Sequence, residues 1–218
     1  MGLLYLIIWI FFFLRRKDLR KEMLLLSSAS AIFGPLTELI YFKDWWHPIT
    51  LTGYVFSIEP ILFGFCIGGI SAVIYEEIFG KKLYKDTKNI LDFKKGKKIF
   101  ILELIGIFLL FGLFFIFHLN SLLSTIIAFG TVTAIIIYHR KDLLIPSILS
   151  GALICIVASI VYSTLNIITP NWIEHFLFFN NTPKIIVGGI PIDDLIWYFS
   201  VGMMLGPLYE YYKVIKLK

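Results

Sequence analysis

The sequence predicts an all-α integral membrane protein with seven transmembrane helices, arranged as a parallel 3+1+3 internal repeat. Three observations support this prediction. Of the 218 residues, 58% are hydrophobic and only 16% are charged, the apolar residues form long runs, and two motifs occur twice. Soluble globular domains are about 45–50% apolar and about 25% charged. The composition therefore excludes an ordinary soluble domain.

Seven apolar segments approach or exceed the length that crosses a bilayer core, about 20 helical residues. The first is short, but basic residues follow it instead of preceding it, and it lacks the small-residue cleavage site of a signal peptide. We therefore interpret it as a retained helix. The predicted helices span residues 1–14, 23–41, 54–79, 99–117, 120–138, 143–167 and 189–212.

The basic residues favour this helix count and define an orientation. With seven helices, 18 of the 20 Lys and Arg residues fall on one side of the membrane, leaving only Lys43 and Lys184 for the other. The positive-inside rule places the basic side in the cytoplasm. We expect a multi-pass protein of the cell membrane with its N-terminus outside and its C-terminus cytoplasmic. A basic surface of this kind contacts membrane lipids, so the net charge of +5 implies no nucleic acid partner.

Two passages of the sequence recur. The motif Arg-Lys-Asp-Leu at 16–19 returns at 140–143, and an acid, an aromatic residue, a glycine and a Tyr-Glu pair keep the same spacing from 58 and from 192 onwards. In that second match Gly68 corresponds to Gly202, and Glu76 to Glu210. A match held in register through a whole helix indicates a duplicated unit.

The repeat predicts the organisation of the chain. Residues 1–85 form the first three-helix unit, residues 86–118 a basic cytoplasmic loop and linker helix, and residues 119–218 the second three-helix unit. One intervening helix returns the chain to its starting side, so the two units are parallel and related by an axis along the membrane normal. A central cavity is expected between them.

Acidic residues near the outer ends of the helices are the candidate catalytic groups. A carboxyl group at mid-membrane costs about 2.5–3.5 kcal/mol on insertion scales, so intramembrane acids are functional candidates. No lysine or arginine lies at the same depth in the helices. Close carboxyl groups in such a site share a proton and provide a donor and an acceptor. The candidates are Glu38, Glu59, Asp193 and Asp194.

Helix capping is the alternative for three of these acids. Asp193, Asp194 and Glu59 lie near the start of their predicted helices, where the helix dipole favours a carboxylate. Glu38 lies near a helix C-terminus, where the dipole disfavours negative charge, so a role in a site is favoured there. At the cytoplasmic ends, interfacial ion pairing with basic residues is the favoured interpretation of three further acids: Glu76, Glu77 and Glu210.

Aromatic residues are dense around the candidate acids. Phe63 and Trp197 each follow an acid by four residues and so share its helix face, and Tyr198 is adjacent. Aromatic faces stabilise a carbocation without supplying a nucleophile. We predict that these three side chains bind the substrate. An interfacial aromatic belt is the favoured interpretation of Trp45, Trp46 and Trp172.

The stretches 57–65 (SIEPILFGF) and 191–199 (PIDDLIWYF) resemble the duplicated acidic motif of the small membrane lycopene cyclases. These are the heterodimeric and fused type, distinct from the flavin-dependent cyclases. In that family a proline-x-acid-acid motif in each half supplies the acids. In this chain the motif carries over to Pro191, Asp193, Asp194 and Glu59. In the first half Ser57 replaces the proline and Pro60 replaces the second acid.

The resemblance implies a redox-neutral cyclisation of the end group of a linear carotenoid or a related isoprenoid. It implies a lipophilic substrate and no cofactor. No metal site is expected either, because the two cysteines lack a metal-binding spacing. Two other functions remain open. One is a small-solute transporter with parallel three-helix repeats, which would use a site nearer the midplane, and the other is a non-catalytic membrane protein.

The predicted orientation can be tested by cysteine labelling from outside the cell. The reagent should modify a thiol introduced at Thr182 and spare one introduced at Asn89, because these positions lie in connections on opposite sides. The reverse pattern would overturn the orientation. Labelling of both thiols in intact cells would overturn the helix count.

Overall fold

A computed structural model of the chain is mostly helical. It describes residues 1–46, 50, 53, 57–81, 83–85, 93–176, 186–187, 189–213 and 215–217, with the backbone alone at 83–85, 93–103, 175–176, 212–213 and 215–217. The labelling positions Thr182 and Asn89, together with Lys184, lie outside the described residues.

Nine α-helices and four short strands occur in the described ranges. The helices are α1 (Gly2–Arg15), α2 (Arg20–Asp44), α3 (Ile58–Phe79), α4 (Phe93–Phe115), α5 (Ser121–His139), α6 (Leu144–Ile168), α7 (Trp172–Phe176), α8 (Ile192–Leu205) and α9 (Leu208–Lys213). The strands are β1 (Leu83–Lys85), β2 (Ile186–Val187), β3 (Ile190–Pro191) and β4 (Ile215–Leu217). Strand β1 pairs antiparallel with β4, and β2 with β3. These strands have only two or three residues each, and the chain is mostly helical, as predicted.

Among the residues that the structure describes, four helices are long and apolar enough to cross a membrane. They are α2, α3, α5, and α6 with the 3-10 turn Lys141–Leu143 that precedes it. Helix α1 and the segment Leu104–Phe115 of α4 are shorter apolar helices. Large apolar side chains are exposed on several helices, including Ile7, Ile32 and Ile160. Helix length, hydropathy and apolar surface together indicate a membrane protein.

The last predicted helix, 189–212, is divided in the structure. Helix α8 begins only at Ile192, because the preceding residues form the β2–β3 hairpin, where Gly189 has a φ of 83°. Helix α8 ends at Leu205, and α9 begins at Leu208. Pro207 lies at the break, has no backbone N–H and cannot continue the hydrogen bonding of a helix. The prediction of one continuous helix over this range is wrong.

The long helices pack as two groups. Helix α3 packs against α1 and α2, and α8 packs against α5 and α6. Glycines allow close approach in both groups. A Cβ atom added to Gly68 would lie 2.7 Å from the carbonyl oxygen of Leu26, and one added to Gly202 would lie 2.8 Å from that of Ser150. Contacts of α3 with α6 and α8 join the groups.

The two Arg-Lys-Asp-Leu motifs have the same local structure. Arg16 forms an ion pair with Asp18 at 2.9 Å, and Arg140 forms one with Asp142 at 2.7 Å. In both motifs the guanidinium group donates hydrogen bonds to the aspartate carboxylate, and this is the main cause that raises the pKa of the arginine. Each arginine therefore stays charged at the start of the following helix.

The close helix packing predicts a difference between two glycine substitutions. Gly202→Ala should destabilise the fold by about 1–3 kcal/mol, because its Cβ meets backbone atoms that cannot move independently. Gly130→Ala is the matched control, since no atom of the described residues, apart from its own helix backbone and chain neighbours, lies within 4 Å of an added Cβ. Alanine there should leave stability unchanged or raise it. Thermal unfolding in detergent measures both, and a Gly202→Ala protein as stable as the parent would contradict the packing.

Candidate functional site

Five of the seven predicted site residues line one cavity, enclosed mainly by α2, α3, α4 and α8. They are Glu38, Phe63, Asp194, Trp197 and Tyr198. The cavity volume is about 200 Å³, and most of its other lining residues are apolar. Leu26 and Trp45 both line it and lie near opposite ends of α2, which at 1.5 Å per residue places them about 28 Å apart. The cavity is thus a long, narrow apolar space.

Asp194 lies in the first turn of α8, is buried, and accepts two hydrogen bonds. The indole N–H of Trp45 donates to Oδ1 at 3.0 Å, and the hydroxyl of Tyr162 donates to Oδ2 at 2.5 Å. Trp45 follows α2 and Tyr162 lies on α6, so three parts of the fold converge on this carboxyl group. None of the ion pairs among the described residues involves Asp194.

Glu38 is the second carboxyl group among the described residues that line the cavity. It lies two turns before the end of α2, and only 4% of its surface is exposed. The indole N–H of Trp46 donates to its Oε2 at 2.9 Å. The cavity therefore has two buried carboxyl groups that are each held by an indole donor, on elements from different helix groups.

The predicted aromatic residues form one wall around these acids. Phe63 stacks on Trp197, with ring centroids 6.0 Å apart and an interplanar angle of 22°. The rings of Tyr5 and Tyr198 pack edge-on against Phe63. The indole N–H of Trp197 donates to the hydroxyl of Tyr41 at 3.1 Å. Helices α1, α2, α3 and α8 thus all contribute to the wall.

Glu59 and Asp193 do not line the cavity. Asp193 is buried, and its Oδ1 accepts the backbone N–H of Asp194 at 3.1 Å. The N-cap residue of α8 is Pro191, and that of α3 is Ser57; neither position has a side-chain capping hydrogen bond. Both acids lie in the first turn of their helices, where the helix dipole favours them. Their catalytic roles stay predictions.

The structure adds residues that the sequence did not single out as part of a site. The sequence favours an interfacial belt for Trp45 and Trp46, but both donate to carboxyl groups of the cavity, and Trp45 is 4% exposed. Trp45 and Trp46 follow Glu38 by seven and eight residues. This spacing, about two helical turns, indicates that they share a helix face with Glu38. Tyr162 has no such signal, because its partner Asp194 lies 32 residues away.

The sequence also predicts interfacial ion pairs for three acids at the opposite end of the bundle. This prediction is confirmed for Glu77 and is wrong for Glu76 and Glu210. Glu77 pairs with Arg15 at 2.7 Å. Glu76 and Glu210 are buried, with exposed fractions of 1% and 0%, and their carboxyl groups meet that of Glu22. The acids face inward because α3 and α9 approach each other there, which the sequence of each helix alone does not indicate.

Comparison with protein families gives a match in the second half of the chain. Residues 120–212 match the lycopene cyclase family. The match confirms the resemblance that the 191–199 motif indicated, and it contains three of the five cavity residues from the prediction. Glu38 and Phe63 precede the part that matches lycopene cyclase. Neither the curated proteins nor the solved structures gave a match to this chain.

Proposed function

We propose that the chain is a lycopene cyclase-like membrane isomerase that closes a ring at the end group of a linear carotenoid or related isoprenoid. One observation carries the proposal: Asp194 is buried at the wall of a long apolar cavity, beside aromatic faces and without an ion-pair partner among the described residues. The lycopene cyclase match over residues 120–212 supports the same chemistry.

The proposed reaction is an isomerisation in which the substrate gains and loses one proton. A carboxylic acid protonates the terminal double bond and leaves a tertiary carbocation. The π electrons of a second double bond then form the new ring bond, which moves the positive charge into the ring. A carboxylate removes a proton from a neighbouring carbon, and a ring double bond results. No electrons are exchanged with a cofactor.

The two carboxyl groups of the cavity suit the two proton transfers. Asp194 accepts a hydrogen bond on each oxygen, an environment that suits a carboxylate, so we assign it the role of proton acceptor. Glu38 receives an indole N–H on Oε2, and we assign it the role of proton donor. The two acids come from different helix groups, so an end group between them meets one carboxyl on each side.

The aromatic wall suits the cation between these two transfers. The stacked pair Phe63 and Trp197, with Tyr198 beside it, presents π faces to the cavity. Such faces attract positive charge and offer no lone pair strong enough to capture the carbocation. The remaining apolar lining disfavours water, which would otherwise add to the cation. The length of the cavity suits a long hydrocarbon chain.

The proposal includes seven membrane spans, an N-terminus outside and a parallel repeat. Two sets of contacts support the repeat. Arg16 donates to the carbonyl oxygen of Glu76 at 2.7 Å, and its counterpart Arg140 donates to that of Glu210 at 3.4 Å. Strands β1 and β4 follow the third helix of each unit and pair antiparallel, with Leu83 opposite Leu217. These two leucines are equivalent positions of the repeat, as expected beside a two-fold axis.

The proposed roles predict the effect of two isosteric substitutions. Glu38→Gln and Asp194→Asn should each lower product formation by on the order of 10²–10⁴, because the titratable proton is lost. Asparagine can still accept from Trp45 and can donate to the Tyr162 oxygen, so the fold should be retained. Glu174→Gln, at an exposed acid near the same predicted side of the membrane, is the control and should remain active.

The assay is expression in cells that accumulate linear carotenoids, with chromatographic analysis of the pigments and immunoblotting of the membrane fraction. Absence of any cyclic product from the parent protein, with every linear carotenoid and isoprenoid precursor offered, would sink the proposed function and leave a transporter or non-catalytic protein. Full activity of both amide variants would sink the assigned roles.

Proton addition from a carboxylic acid also predicts an isotope pattern. Cyclisation in D₂O should place one deuterium in each new ring, because a buried carboxyl group exchanges its proton with solvent between turnovers. Mass spectrometry of the purified product measures the label. Rings formed in D₂O without deuterium would contradict protonation as the first step.

A further inference from the structure

Three carboxyl groups meet at the end of the bundle opposite the cavity acids. Glu22 lies in the first turn of α2, Glu76 in the last turn of α3, and Glu210 in α9. One carboxyl oxygen of each lies within 4.8 Å of the other two. All three side chains are buried, with exposed fractions of at most 1%. Acidic clusters on a protein surface are stabilised by water, but buried carboxylates need a positive charge or hydrogen-bond donors beside them.

Five of the six carboxyl oxygens of this cluster have no hydrogen-bond partner among the described residues. In the part of the chain that the structure describes, both oxygens of Glu22, both of Glu210 and Oε2 of Glu76 are buried without one. Buried polar atoms in folded proteins are nearly always hydrogen-bonded or bound to an ion or water. The side chain of Glu22 is therefore aimed, unpartnered, at two other acids, and something further must complete the site.

The neighbouring arginines are already engaged. The guanidinium groups of Arg16 and Arg140 reach the edge of the cluster, where they donate to the backbone carbonyl oxygens of Glu76 and Glu210. Each also forms an ion pair with the aspartate of its own motif. These two positive charges lower the free-energy cost of burying the acids from a distance, but neither arginine is recorded as pairing with a carboxyl oxygen of the cluster.

We propose that Glu22, Glu76 and Glu210 bind one divalent cation of the hard, oxygen-preferring class, such as Ca²⁺ or Mg²⁺. These ions prefer oxygen ligands, and carboxylate oxygens are among the ligands that they take in proteins. Oxygens around one Ca²⁺ lie about 2.3–2.6 Å from it, hence up to about 5 Å from each other. The spacing of 4.8 Å or less fits that range. A divalent ion offsets two of the three negative charges.

The cation would join the two helix groups. Glu22 and Glu76 belong to the first group, and Glu210 belongs to the chain that continues from α8. Without the ion, three carboxylates repel each other at the place where the groups meet. With it, the same residues become a link between α2, α3 and α9. The site is thus structural, and it does not depend on the proposed cyclase reaction.

The test uses the full chain, purified in detergent, stripped with a chelator and then titrated with CaCl₂ or MgCl₂. The midpoint of thermal unfolding should rise by several degrees with at least one of the two ions. Isothermal titration calorimetry should show one site per chain. Glu22→Gln and Glu210→Gln should weaken binding at least tenfold, whereas Glu77→Gln should bind as the parent does. That control is an acid of the same bundle end that already has an arginine partner.

Two outcomes of these titrations would overturn the proposal. If neither ion binds or stabilises the parent protein, the three carboxyl groups hold protons instead. If the ions bind the parent and the Glu22→Gln and Glu210→Gln variants equally, the binding is to other surface acids. Should the glutamine variants fail to fold, equilibrium dialysis of the parent protein decides. One ion retained per chain, lost on protonation at low pH, supports the site, and no retained ion refutes it.

Discussion

The cost of holding carboxyl groups inside an apolar helix bundle is the constraint on which the rest of this structure depends. Asp194 is tolerated because an indole and a phenol from two other segments donate to its two oxygens. These hydrogen bonds fix how the end of α2 and the C-terminal half of α6 approach α8. Glu38 is stabilised in the same way, by a hydrogen bond from the indole N–H of Trp46. The acids therefore determine the aromatic surroundings as much as the aromatic residues determine the cavity.

Close helix packing explains where the cavity lies. Glycines bring α2 onto α3 and α6 onto α8 with almost no space between the backbones. The large aromatic side chains then lie on the faces that remain, toward α4 and between the two groups. Phe63 and Trp197 stack across that boundary instead of filling it. Close packing within each helix group thus leaves an apolar cavity between the groups. Glu38 and Asp194 both line this cavity.

Local patterns predicted most of the helices and much of the site. The helical period placed Phe63 and Trp197 on the helix faces of Glu59 and Asp193. In the structure the two rings stack on each other at the cavity, which neither of these acids lines. Contacts between distant parts of the chain had no such signal, so Tyr162 was missed and the burial of Glu210 was not expected. The break at Pro207 is different, because the Gly-Pro pair there is a signal that hydropathy alone conceals.

The two ends of the bundle balance buried acids by different means, and the difference indicates different chemistry. Near the end of α2, each cavity acid has a neutral hydrogen-bond donor that holds the carboxyl group while leaving it free to exchange a proton with a ligand. Near the start of α2, Glu22 faces two acids and receives no hydrogen bond among the described residues. Neutral donors suit a group that must change its charge during a reaction. Clustered carboxylates without donors suit a charge that is offset permanently, by a bound cation.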